Sequence, residues 1–159
     1  MTEGSMITDK ISSLIGQLSE PIILKVEAGA ITRYADAIGD LNPLYRDVEY
    51  ARNSRYGEII CPPGFFGWPI KGGGVEMTMS KVVGAVAEAG LWRILDGGVE
   101  FEFYIPVRAG DTLTTYGQLI DAREKVGRSG RMLFLIIEQK YLNQNGDLVA
   151  VSRATLICS

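Results

Sequence analysis

Three side chains within six residues could do acid–base work or hold a water molecule: Asp40, Asn42 and Tyr45, in the stretch AIGDLNPLYRD at residues 37–47. An ionised aspartate can activate water, or it can bind backbone amides close by, as short acidic residues do in turns. The phenol of a tyrosine has an ordinary pKa near 10, which makes it a poor base at neutral pH but a competent donor of a proton or a hydrogen bond. A packed tyrosine that hydrogen-bonds beside a site is the other reading of Tyr45. The chain contains no histidine. That removes the commonest acid and base near neutrality, and the usual partner of serine and cysteine nucleophiles. Cys61 and Cys158 lie far apart without a metal-ligand spacing and read as reduced, packed thiols, so no metal site is expected. No cofactor motif stands out either. The triple glycine 72–74 lacks the Gly-Lys-Ser/Thr ending of a phosphate-binding loop and reads as a hinge or a close-packing point.

The elements that must position these residues change character once, near residue 90. In EAGAITRYADAIG, Ile31, Tyr34, Ala35 and Ile38 recur at helical spacing, and Gly39 is the type of residue that ends a helix in the left-handed conformation. Asp40 therefore follows a helix C-terminus. Residues 47–53 read as a short helix capped by Asp47, and residues 75–89 as a longer one whose apolar face carries Met79, Val82, Val83 and Val86. After residue 90 the segments alternate apolar and polar. LWRIL and VEFEFYI flank Asp-Gly-Gly, a hairpin signal, and Val99, Phe101 and Phe103 alternate with Glu100, Glu102 and Tyr104 as in a half-buried strand. Three long strands follow in DTLTTYGQLIDA, RMLFLIIEQKYL and DLVAVSRATLIC, the last two joined by an Asn-Gly turn. Strands longer than the usual 5 to 6 residues suit a strongly twisted sheet that curls around something, for which the helix before residue 90 is the candidate. The expected class is α+β, one domain over residues 1–159, with residues 1–20 as a peripheral N-terminal segment.

The totals fit an ordinary globular chain: 159 residues, 47% hydrophobic, 22% charged, net charge −3. The acidic balance disfavours nucleic acid, which calls for a basic face. No apolar run approaches the roughly 20 residues of a membrane-spanning helix. The first residues also lack the basic start and apolar core of a signal peptide. The expected location is the cytoplasm.

Several ordered segments carry a family resemblance. AIGDLNPLY resembles the hydratase motif of the MaoC-like (R)-specific enoyl-thioester hydratases and dehydratases, written loosely as Gly-Asp-x-Asn-Pro-Leu-His. FEFYIPVRAGDTL, residues 101–113, is similar to that family's second signature. GEIICPPGFFG and ILDGGVEFEF resemble its FAS1-like, or MaoC N-terminal, dehydratase branch. The resemblance implies a single hot-dog domain, a long antiparallel sheet wrapped around a central helix. It also implies a substrate: a 2-enoyl or 3-hydroxyacyl thioester such as an acyl-CoA, across whose double bond water is added or removed.

In catalytic members an aspartate and a histidine five residues later activate that water. The resemblance carries the first role to Asp40, the positioning of water to Asn42 and the fixing of the turn to Pro43, and it puts Tyr45 at the histidine position. Gly64 falls where the family places a backbone amide over the thioester carbonyl, the other reading being a Pro-Pro-Gly turn. Phe65, Phe66 and Trp68 either line an acyl tunnel or belong to the core. Asp111 is expected to brace the start of a strand. The basic group Arg123, Lys125, Arg128 and Arg131 reads as a solvated hairpin tip, or as a contact for the phosphates of coenzyme A.

Two further functions stay open. One is an acyl-binding subunit without chemistry of its own, paired with a histidine-bearing hot-dog chain. The other is a thioesterase whose acid would be Glu76 or Glu88. A homodimer or a heterodimer with another hot-dog chain is expected in every case, because a single curled sheet leaves an open edge.

Overall fold

A computed structural model describes residues 4–67, 74–128 and 130–159, with the backbone alone at residues 66, 67 and 74–77. Its elements run α1 (Asp9–Leu14), β1 (Ile22–Lys25), α2 (Ala28–Ala37), α3 (Val48–Asn53), α4 (Gly74–Glu88), β2 (Ile94–Phe103), β3 (Thr112–Gly127), β4 (Gly130–Leu142) and β5 (Leu148–Cys158). The strands form one antiparallel sheet in the order β1-β3-β4-β5-β2. Wrapped on α4, it is the hot-dog fold.

What holds this arrangement is the period-two alternation of the long strands. On β3 and β4 every second residue turns inward, so Leu119, Leu133, Leu135 and Ile137 are all at most 1% exposed. They meet Val82, Ala85 and Val86 of α4 in one apolar cluster, which Leu156 and Cys158 of β5 complete. A second cluster lies towards the other end of the sheet. It joins Ile31 and Ala35 of α2 to Ala51, Ile59, Phe65, Val107, Leu113, Tyr141 and Val149. Between α3 and α4 a 3₁₀ turn, Pro63–Gly67, lies beside this second cluster.

The expected helices are found, with α2 ended by Gly39 at φ +71° and α3 capped by the Asp47 side chain on Tyr50 N–H. Three expectations give way. Asp-Gly-Gly does not make a hairpin: β2 runs straight through it, pairing Ile94 with Cys158 at one end and Phe103 with Ala150 at the other, with one extra residue between Asp96 and Val99. The glycines serve a bulge instead. A Cβ on Gly97 would stand 3.0 Å from the Thr155 carbonyl oxygen, and Gly98 has φ +109°. Second, β2 is an edge strand with a single neighbour, so Val99 and Phe103 of the half-buried pattern remain 53% and 45% exposed. Third, the described part of the N-terminal segment, residues 4–20, is not merely peripheral. Ile11 is 1% exposed within the α4 cluster, and Gly16 and Ser19 donate backbone hydrogen bonds to Leu119 and Gly117 of β3. Ile7, Ile11 and Leu14 do follow helical spacing, but a six-residue helix is too short a run to stand out.

Truncating Leu135 to alanine removes atoms from a closed cluster, and such cavities cost about 2–5 kcal/mol. Urea unfolding of Leu135→Ala is expected to show a loss in that range. Val126→Ala, at a position 83% exposed, is expected to stay within about 0.5 kcal/mol of the parent.

Candidate functional site

The segment after α2 is built by short side chains that bind their own backbone. Asp40 N–H donates to the Ala35 carbonyl as the helix closes. Asp40 Oδ1 then accepts from Asn42 N–H at 3.0 Å, and Asn42 Oδ1 accepts from Leu44 N–H at 3.1 Å, giving two Asx turns in succession. Asn42 caps a 3₁₀ turn, Pro43–Tyr45, with proline supplying the pre-set first residue. Arg46 locks the loop. Its Nη2 donates to the Asp40 carbonyl at 2.7 Å and pairs with Asp36 Oδ1 at 2.8 Å, while Thr32 Oγ1 donates to the Tyr45 carbonyl at 3.2 Å.

These bonds bring Asp40, Asn42 and Tyr45 together. Tyr45 is 9% exposed, and its ring forms part of the wall of a cleft of about 370 Å³ shared with Tyr56, Ile60, Cys61, Phe103 and Val107. Burial raises the Tyr45 pKa above its ordinary value, and the charge of Asp40 and then Tyr56 raise it further, against a hydrogen bond from the Asn42 side chain that lowers it. The phenol is therefore protonated at neutral pH, and the surroundings move it away from service as a base. What Tyr45 offers the cleft is a hydrogen-bond donor. Asp40 is the carboxylate beside it, with Oδ1 engaged in the turn. Burial, followed by the charge of Asp111, likewise pushes the Cys61 thiol far up, so it is no nucleophile.

Gly64 is explained by a close approach. A Cβ there would lie 2.1 Å from the Tyr34 hydroxyl oxygen, and the Tyr34 ring stands edge-on to Phe65 at 5.9 Å and 88°. Phe65, at 2% exposed, belongs to the core cluster and is not among the described residues that line the cleft, which is the core reading of this residue. The Phe66 side chain, Trp68, Gly72, Gly73 and the Glu76 side chain lie outside the described residues. Glu88, the other thioesterase candidate, is an exposed surface group paired with Lys10.

The basic group does not reach the cleft. It surrounds the β3–β4 tip, and none of its members is among the residues that line the cleft. There Arg123 pairs with Asp121, Arg131 pairs with Glu124, and Lys125 lies 4.7 Å from the centre of the Phe134 ring. Asp111 braces the start of β3, accepting from Arg108 N–H at 2.8 Å and from Gln144 Nε2 at 2.9 Å. The sequence reading had not picked out Tyr56, Cys61 and Phe103 as cleft walls, nor Arg46 as the clamp. Phe103 sat in a recognised strand, and its exposure on an edge was the missing signal.

Comparison with known proteins gives concordant results. The family model described as FAS1-like, dehydratase domain region, matches residues 13–152. A UPF0336 protein of Thermobifida fusca is 30% identical over 145 residues, covering 89% of this chain and 86% of that one. A protein of Thermomonospora curvata named as a probable enoyl-CoA hydratase alpha subunit is 26% identical, covering 83% of this chain and 44% of its own length. Among solved structures, a chain of the ChsH1-ChsH2 complex from Mycobacterium tuberculosis superposes with a TM-score of 0.80 at 20% identity, over 94% of this chain and 93% of that one. Solved MaoC-like dehydratases share the fold.

Two measurements test the site's construction. Gly64→Ala is expected to lose about 1–3 kcal/mol through overpacking, and less in a Tyr34→Phe background, where the hydroxyl is gone. Equal urea-unfolding losses in both backgrounds would contradict the contact. For Tyr45 the folded pKa is raised, so its contribution is fully present below the unfolded value near 10 and is lost as pH rises through the folded one. Tyr45→Phe should cost about 0.5–1.5 kcal/mol at pH 8, from the lost hydrogen bond. Above pH ~10 the variant's stability should fall less steeply than the parent's.

Proposed function

The chain belongs to the FAS1-like dehydratase-region family, and from that premise we propose that its cleft binds a 2-enoyl or 3-hydroxyacyl thioester across whose double bond water is added or removed. Asp40 and Asn42 hold the water on the loop after α2. Tyr45 donates a hydrogen bond from the cleft wall, and the Gly64 amide, next to the cleft residue Pro63, serves the thioester carbonyl. An amide aimed at that oxygen would favour the enolate that forms as water adds.

The observation that shapes the reading is the protonated phenol at the histidine position. Hydration needs one group to take a proton from water and another to deliver a proton to the carbon next to the carbonyl. Asp40 can do the first. With no imidazole in the chain and burial raising the Tyr45 pKa, which makes the phenol a weaker acid, the second is best supplied by another subunit. The reading is therefore an acyl-thioester-binding subunit that pairs with a histidine-bearing hot-dog chain. The uncovered edge strand supports pairing, since Val99, Phe103, Tyr104 and Ile105 stand exposed along and just beyond β2. The similar proteins named as an alpha subunit and as a two-protein complex fit the same reading. Reduced cysteines and the lack, among the described residues, of a helix able to cross a membrane are compatible with a cytoplasmic site of action.

Loss of enoyl absorbance from enoyl-CoA substrates decides the matter. The purified chain alone is expected to match its Asp40→Asn variant, and a co-purified hot-dog partner to raise the rate at least about 100-fold, the scale of positioned acid–base catalysis. Turnover by the chain alone, well above the Asp40→Asn variant, would assign the whole reaction to this chain. Release of free thiol would point to hydrolysis.

A further inference from the structure

Tyr56, a wall of the cleft, is held at both ends by arginine. The Arg55 guanidinium lies 4.7 Å from the centre of the Tyr56 ring and donates through Nη2 to the Tyr56 hydroxyl at 2.5 Å. Arg108, which follows the cleft residue Val107, donates through Nε to the Tyr56 carbonyl at 2.8 Å. Both residues are exposed, and among the described residues neither makes an ion pair. In contrast, Arg46, Arg123, Arg131 and Arg153 each meet a carboxylate. Two guanidinium groups oriented by one tyrosine concentrate positive charge at a cleft wall, on a chain of net charge −3.

The bonds to Tyr56 occupy one nitrogen of each guanidinium and leave the other donors available. Planar guanidinium groups match phosphate oxygens in pairs, which an ammonium group does not. The carrier arm of an acyl thioester ends in a phosphate, and Tyr56, with its two arginines, is a wall of the cleft that such an arm would leave. We infer that Arg55 and Arg108 form a phosphate-binding rim for the carrier arm of the acyl thioester. The inference rests on the thioester reading of the cleft. It assigns the carrier contact to these two residues in place of the distant β3–β4 tip.

The test compares three ligands with the same acyl group, as the N-acetylcysteamine, 4′-phosphopantetheine and coenzyme A thioesters, in calorimetric titrations of the parent and of an Arg55→Gln/Arg108→Gln double variant at low salt. The parent should bind the phosphopantetheine thioester at least about tenfold more tightly than the phosphate-free one, as one charge-assisted contact implies. In the double variant that ratio should fall towards one, with the thermal midpoint kept, since both side chains are exposed. A further gain with coenzyme A, lost in the variant, would mean that the two arginines also read its additional phosphates, in the pyrophosphate or at the 3′ position. No further gain would mean that the single phosphate common to protein-bound carriers suffices. An unchanged ratio with tight binding of the phosphate-free thioester would overturn the rim and leave the acyl cleft standing. Binding of free phosphopantetheine through the two arginines, with no contribution from any acyl group, would keep the rim and overturn the acyl cleft. Binding of none of the ligands would overturn both.

Discussion

Everything in this protein depends on burying one helical stripe against one face of a curled sheet. Val82, Ala85 and Val86 of α4 need an apolar surface, and Leu119, Leu133, Leu135 and Ile137 supply it only if β3 and β4 pair in the observed register. A slip of one residue would turn that whole row towards solvent. The register in turn determines where the strands start. It puts Leu113, Tyr141, Val149 and Val107 side by side, and onto that second patch the segment from α2 to Phe65 folds down. The cleft is what remains between this segment and the edge strand β2.

The loop that carries the site is stiff for a local reason. Asp40 and Asn42 each spend a side-chain oxygen on the backbone two residues ahead, and Arg46 ties the Asp40 carbonyl to Asp36 on α2. The same oxygen that makes the turn belongs to the carboxylate that stands beside Tyr45. The electrostatics then separate the two groups. Burial, and after it the charge of Asp40, raise the Tyr45 pKa, so the phenol offers the cleft a hydrogen-bond donor.

Much of this was legible from residues alone, because it rests on local rules. Helical spacing and caps located α2, α3 and α4; alternation located β3, β4 and β5; and the motif around Asp40 pointed to the segment that folds against the cleft. The misreadings share a cause. Asp-Gly-Gly suits a tight turn and a bulge equally well, and only pairing of both flanks with β5 makes it a bulge. Phe65 and Phe103 are alike as residues, yet one is enclosed by α2 and the loop while the other stands on an edge with a single neighbouring strand. Arginines close to the cleft in space, Arg55 and Arg108, are 53 residues apart in the chain, whereas the compact basic run that drew attention lies at the far end of the sheet.

The sequence by itself determined the absence of imidazole chemistry, the identity of the elements and the family to which they belong, since residue types and short-range periods survive any arrangement of the chain. Tertiary structure alone decided which side chains share the cleft, that burial raises the Tyr45 pKa, and which cationic groups beside it make no ion pair among the described residues. Those properties depend on burial and on distances between residues remote in the chain, and neither exists until the sheet has closed on its helix.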